Sequence, residues 1–216
     1  MARRNRVDPW GDLHAAYGRG LLTGNRGCLV DETSTIARHH RGSLWITCLT
    51  EFRGWRHPLD APGRWTPLFF LDDAVALAAG HRPCGFCRRD AYNAYRNAVT
   101  AAAGSPQPLH ATDLNRVLAT ERLRRGRGID RGRDRRLWTT PIDDLPVGTV
   151  IIDDDHRPRL VLDAWTMTFT FDGWVDRQER PRRVSVEVLT PPTSVAALAH
   201  GYVPVLHPSA RPTAAT

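Results

Sequence analysis

Residues 68–88 read Leu68-Phe-Phe-Leu-Asp-Asp-Ala-Val-Ala-Leu-Ala-Ala-Gly-His-Arg-Pro-Cys-Gly-Phe-Cys-Arg88, and most positions in the run carry a structural instruction. The apolar quartet at 68–71 is a short buried strand. Asp72 or Asp73 offers a side-chain oxygen to the first free N–H groups of a helix, and the alanine-rich run 74–79 propagates it. Gly80 supplies the left-handed residue that ends the helix, and Pro83 arrives soon after as a stop. Cys84-Gly-Phe-Cys87 follows, spaced so that a tight turn aims two thiols at one ion, with Gly85 easing the backbone. A redox dithiol has the same spacing, but it belongs at a strand-to-helix turn. Here the pair follows a helix and a proline.

Working outward, a second helix is expected over 88–103, with Tyr92, Tyr95 and Val99 at spacings of three and four. A third is expected over 112–125, carrying Leu114, Val117, Leu118 and Leu123. Upstream, glycines at 18, 20, 24 and 27 punctuate short strands and turns. The clearest strand there is 44–52, which holds Trp45 and Cys48 between Gly42 and Gly54. Residues 122–136 contain eight arginines, three glycines and two aspartates and read as a flexible connection. Beyond it the period changes to alternation, with strands at 149–152, 159–163, 166–171 and 184–189. Thr193 or Ser194 then caps a short helix to Ala199, closed by Gly201 and Pro204. The expectation is a mixed α+β chain in three parts: a metal-binding module with extra N-terminal strands over 1–105, a helix and connection over 106–140, and an antiparallel β domain with a short C-terminal helix over 141–210.

The bulk numbers narrow the partners. Of 216 residues, 41% are hydrophobic and 25% charged, the balance of a globular chain. No apolar run approaches the roughly 18 residues that span a bilayer, and the basic start leads into no apolar signal segment, so a cytoplasmic protein is expected without membrane contact. The net charge is +7, and all 30 basic residues are arginine. Codon bias in a GC-rich genome accounts for the missing lysine but not for the positive excess, which favours a polyanionic partner. Four cysteines with one close pair point to metal or catalysis rather than disulfides in a reducing compartment.

The run 69–88 resembles the second half of the zinc-binding domain of the Ada DNA-repair family. There an aromatic pair enters a short alanine-rich helix that ends in Gly-aromatic-Arg-Pro-Cys-x-x-Cys-Arg. Phe69, Phe70, Ala74, Ala78, Ala79, Gly80, Arg82, Pro83, Cys84, Cys87 and Arg88 match that pattern. With the strand holding Cys48, the resemblance extends over residues 45–90. It implies an Ada-like fold for this part, a zinc ion, a DNA partner, and a role for Cys48 as the metal-activated thiolate that takes a methyl group from a DNA phosphotriester. The family's strand carries Cys-x-x-x-Cys, whereas position 52 here is phenylalanine. The fourth ligand is therefore open. Cys28 is a candidate from a strand of the same sheet, His57 and His81 are others, and the position can also hold water.

Three functional expectations follow. The first is a zinc-stabilised nucleic-acid-binding protein, in DNA repair or processing, with Arg53, Arg56, Arg82, Arg88 and Arg89 on phosphates and Trp55 exposed for stacking. The second is an enzyme that uses Cys48 as alkyl acceptor, or a metal-bound water. The third is a structural zinc knuckle whose active site lies in the C-terminal β domain. Other features weigh less. His39 and His40 are read as neighbours on a solvated polar strand, pointing to opposite faces. Asp153-Asp-Asp155 lacks the spacing of a calcium loop, and the glycine-arginine turns at 18–20 and 24–27 lack a phosphate-loop pattern.

Overall fold

Short strands build the first half, as its glycine punctuation dictates: β1 (Arg4–Val7), β2 (Leu13–Ala15), β3 (Leu22–Asn25), β4 (Ile46–Leu49) and β5 (Leu68–Phe70). These belong to a computed structural model that describes residues 3–59 and 63–211. Helix α1 (Asp73–Ala78) follows, then the two-residue strand β6 (Arg82–Pro83). The sheet runs in the order β2-β1-β5-β3-β4-β6. Two of its pairings are parallel, β1 with β5 and β4 with β6, and the rest are antiparallel.

Helix α1 forms for the reasons legible in its sequence. Asp72 is its N-cap and accepts the Val75 N–H at 3.0 Å, and Gly80 sits at φ +84° just past its end. All six residues of α1 are buried, and small alanines let the helix lie close against its surroundings. Helices α2 (Arg89–Ala102) and α3 (Ala111–Arg122) complete this half.

The second half is a six-stranded, wholly antiparallel sheet of β7 (Trp138–Pro141), β8 (Val150–Ile152), β9 (Pro158–Val161), β10 (Trp165–Thr170), β11 (Gly173–Glu179) and β12 (Ser185–Val188), in the order β11-β10-β9-β8-β12-β7. The short helix α4 (Pro192–Ala199) follows it. The fold is thus mixed α+β. The sequence reading lacked β7 and β11, and both are edge strands. Only the first two residues of β11 are buried, so it carries no apolar alternation to be read. The α4 cap also differs: its N-cap is Pro191, and Thr193 instead bonds Glu121 through both its hydroxyl, at 2.7 Å, and its backbone N–H, at 3.0 Å.

One apolar cluster crosses the expected boundary between the halves. Val7, Leu22, Phe70 and Ala78 share it with Val150, Leu160, Met167 and Trp174. The arginine-rich stretch expected as a flexible connection is built into the molecule. Arg122 donates to the carbonyls of Gly80 and Ser43, and Arg135 to those of Ala78 and Leu189. Buried guanidiniums with five donors can answer several orphan carbonyls at once, which makes arginine a cross-link here rather than a solvated charge. The loop holding His39 and His40 is a second difference. It is not a strand, and His39 is buried.

Candidate metal centre

The parallel pairing of β4 with β6 assembles the site. Ile46 lies opposite Arg82 and Thr47 opposite Pro83, so the next residues in each chain, Cys48 and Cys84, come together. The Cys84 N–H donates to the Thr47 carbonyl at 2.9 Å, continuing the ladder by one bond. The chain then turns through Gly85 and Phe86, and the Arg88 N–H returns to the Cys84 carbonyl at 3.2 Å. That turn delivers Cys87. The Sγ atoms of Cys48, Cys84 and Cys87 all lie within 4.8 Å of one another. Sulfurs held tetrahedrally at the usual zinc–sulfur distance of about 2.3 Å stand about 3.8 Å apart, a separation inside that limit, so the trio could hold such an ion.

The surroundings favour one ionised sulfur, Cys84. The Phe86 N–H points at Cys84 Sγ, 3.4 Å away. Hydrogen bonds from Cys48 and Cys87 hold the Cys84 thiol well below the usual range, while Cys48 is pushed up, first by its bond to Cys84 and then by Cys87. A cation among them would let all three sulfurs ionise together. Three close cysteines of this geometry can hold a metal ion.

Behind the site an ion pair fixes the turn. Arg88 makes a bidentate pair with Asp73, 2.7 Å on each arm, and donates to Thr47 Oγ1 at 2.7 Å. Asp73 also accepts the Tyr202 hydroxyl at 3.2 Å and the Val205 N–H at 3.0 Å. Arg82 is likewise internal: it donates to Asn115 Oδ1 and to the Pro83 carbonyl, both at 2.9 Å, and lies over the Tyr92 ring. Arg82 and Arg88, expected on phosphates, are therefore buried cross-links that hold the cysteine turn against the sheet. Each matched the resemblance by sequence, but burial leaves no face for a ligand.

Cys28 and His57 do not join the cysteine group, and neither does His81. Because β3 runs antiparallel to β4, Thr23 sits opposite Cys48 and Asn25 opposite Ile46, so the chain is already leaving the cysteine end when it reaches Cys28. The Cys28 thiol donates to the Val30 carbonyl instead. His57 bonds the Pro58 carbonyl and packs on Trp65, and His81 lies fully buried beside Phe70 and Trp45. Among the described residues no fourth histidine, cysteine or carboxylate completes the group.

Arg53, Trp55, Arg56 and Arg89 do reach the surface near the turn. Trp55 is 54% exposed, and Arg56 is exposed with Glu51 as its partner at 2.7 Å. The sequence reading passed over Phe86, which is 70% exposed and packs edge-on against Phe52 at 5.3 Å. Its place between two metal-spaced cysteines was the signal that could have found it. No helix among the described residues is long and apolar enough to cross a membrane. No family model, curated protein or solved structure matches the chain.

Proposed function

We propose that the chain is a zinc protein whose three-thiolate centre fixes a small arginine-flanked surface that binds nucleic acid. The convergence of Cys48, Cys84 and Cys87 within 4.8 Å carries this reading. A divalent, thiophilic ion such as zinc supplies the charge that lets three sulfurs stay ionised side by side, and ties β4 to the cysteine turn. Around that anchor Arg53, Arg56 and Arg89 offer cations to phosphates, and Trp55 and Phe86 offer exposed rings for base stacking. The resemblance to the Ada zinc domain supports the same combination.

Elemental analysis of protein purified without added metal tests the first half. Zinc is expected in the wild type and in Cys28→Ser, and its loss in Cys48→Ser and Cys84→Ser. The second half predicts DNA binding that weakens steeply with salt, with Arg53→Gln plus Arg89→Gln lowering the log–log slope by about two. Absence of binding at low salt sinks the nucleic-acid reading and leaves the metal result standing.

A second reading, alkyl transfer to Cys48, is favoured by two observations: Cys48 is only partly buried, and the described residues offer no fourth ligand. The Cys48 sulfur forms a bond to the methyl carbon as the carbon–oxygen bond breaks, and the phosphate oxygen leaves with the electron pair. Mass spectrometry after exposure to DNA bearing methyl phosphotriesters separates the two readings. A single methyl on Cys48 establishes the transfer, and an unmodified Cys48 rules it out.

A further inference from the structure

At the opposite end of β4 from the cysteines lies a second polar cluster that needs no metal. The Trp45 indole is buried, with the Arg26 guanidinium 4.3 Å and the Arg122 guanidinium 3.9 Å from its ring centroid. His39, His40 and His81 surround the same ring at 5.4, 5.2 and 5.2 Å. Among the described residues no carboxylate pairs with Arg26, Arg122 or Arg135. Arg26 donates to the Gly11 carbonyl at 2.7 Å and approaches His39 Nε2 at 2.8 Å and His81 Nε2 at 3.2 Å. Arg26 Nη2 and Arg135 Nε and Nη1 are buried without hydrogen-bond partners. Three buried guanidiniums thus stand together, their hydrogen bonds going to carbonyls and neutral rings, with Asp8 and Asp12 acting on Arg26 and Arg135 only through space.

The histidines link that cluster to the surface. Burial, followed by the charge of Arg26, lowers His39 to about 2 and His40 to about 4, so both rings are neutral at physiological pH. His39 Nε2 lies 2.8 Å from Arg26 Nη1 and 3.0 Å from the Gly11 carbonyl, and its Nδ1 lies 3.1 Å from His40 Nδ1, so the His39 tautomer sets which nitrogen of His40 donates. His40 lines a pocket of about 390 Å³ whose wall includes Trp45, Arg122, Arg124, Arg125 and Arg131 and no acidic residue. That volume falls in the roughly 300–1,000 Å³ range of small-ligand sites.

We propose that this pocket binds the phosphate group of a small molecule, with Arg124, Arg125 and the His40 ring as its contacts and Arg122 and Arg131 as its charged floor. An anion there meets four guanidiniums of which, among the described residues, only Arg131 has a carboxylate partner, Asp134 at 2.5 Å, and planar guanidiniums suit phosphate oxygens. The site is independent of the cysteine centre and does not depend on the nucleic-acid reading. Free phosphate and a nucleoside monophosphate share the required chemistry.

Calorimetric titration of the full chain in chloride buffer, at constant ionic strength, with inorganic phosphate and with adenosine 5′-monophosphate tests it, with adenosine as control. Binding of at least one phosphate species and none of adenosine is expected. Tighter binding of the monophosphate assigns an esterified ligand, and equal or tighter binding of phosphate assigns the free anion. Arg124→Gln/Arg125→Gln is expected to weaken binding about tenfold or more, since charged hydrogen bonds are lost. Both side chains are exposed, so the variant is expected to fold, which circular dichroism checks, and His40→Asn provides a second weakening substitution. Absence of heat from both phosphate species, or unchanged affinity in both variants, overturns the proposal.

Discussion

At the scale of single residues, Asp72 and Asp73 are neighbours put to different uses. Asp73 is buried against Arg88, and removing one partner of a buried pair leaves the other charge stranded. Asp73→Asn is therefore expected to lose about 3–5 kcal/mol of unfolding free energy, measured by urea denaturation. Asp72 accepts from Val75 N–H, Trp174 Nε1 and His207 N–H, yet burial raises it from 3.8 to about 6. The unfolded chain releases this proton near 3.8 and the folded chain near 6. Between those values the folded state holds the extra proton, so this group's contribution to stability falls as pH rises, by about 3 kcal/mol in all. Asp72→Asn removes that slope. Denaturation of wild type and variant from pH 3.5 to 7 should show the gap between them shifting toward the variant, and a constant gap refutes the assignment.

At the scale of elements, two glycines flanking β6 test what the turn requires. Gly80 sits at φ +84°, and a Cβ there would stand 2.8 Å from Arg122 Cδ. Since Arg122 is pinned to Gly80 and Ser43 carbonyls, it cannot give way. Gly80→Ala should cost about 1–3 kcal/mol in thermal or urea unfolding. Gly85, read from the sequence as easing the cysteine turn, is not in the left-handed region, and an added Cβ would meet Tyr92 at an ordinary 3.4 Å. Gly85→Ala is expected to change stability by less than about 0.5 kcal/mol and to keep the metal. Alternation and capping made α1, β5 and the C-terminal antiparallel strands readable. The parallel pairing of β4 with β6 left no such trace, because a two-residue strand has no period.

At the scale of the molecule, the cysteine trio lies outside the shared core, so the zinc ion proposed for it would add to a stability that the core already supplies. The apolar cluster joins both sheets without the cysteines, so chelation should lower the melting temperature while leaving a folded chain. Restoring zinc should raise that temperature, because the unfolding free energy grows with the logarithm of free metal, by up to about 4 kcal/mol at a thousandfold excess over the dissociation constant, and Cys84→Ser should not respond. Differential scanning calorimetry across a zinc titration reads both outcomes. Likewise, the arginines divide between surface and interior, with Arg82, Arg88, Arg122 and Arg135 buried and Arg53, Arg56 and Arg89 exposed. The net charge of +7 does not distinguish the two groups.

The order of residues by itself determined the strand–cap–helix–glycine unit around 68–80, the metal spacing of Cys84 and Cys87, and the alternating strands of the second half. Each is a local matter of capping, turn geometry or period, settled among residues a few positions apart. Only the tertiary structure decided that Cys48 meets that pair while Cys28 does not, and that His39, His40 and Trp45 gather around Arg26 and Arg122. Those outcomes depend on strand register and on which buried carbonyls a guanidinium can reach, and both are fixed by partners dozens of residues away.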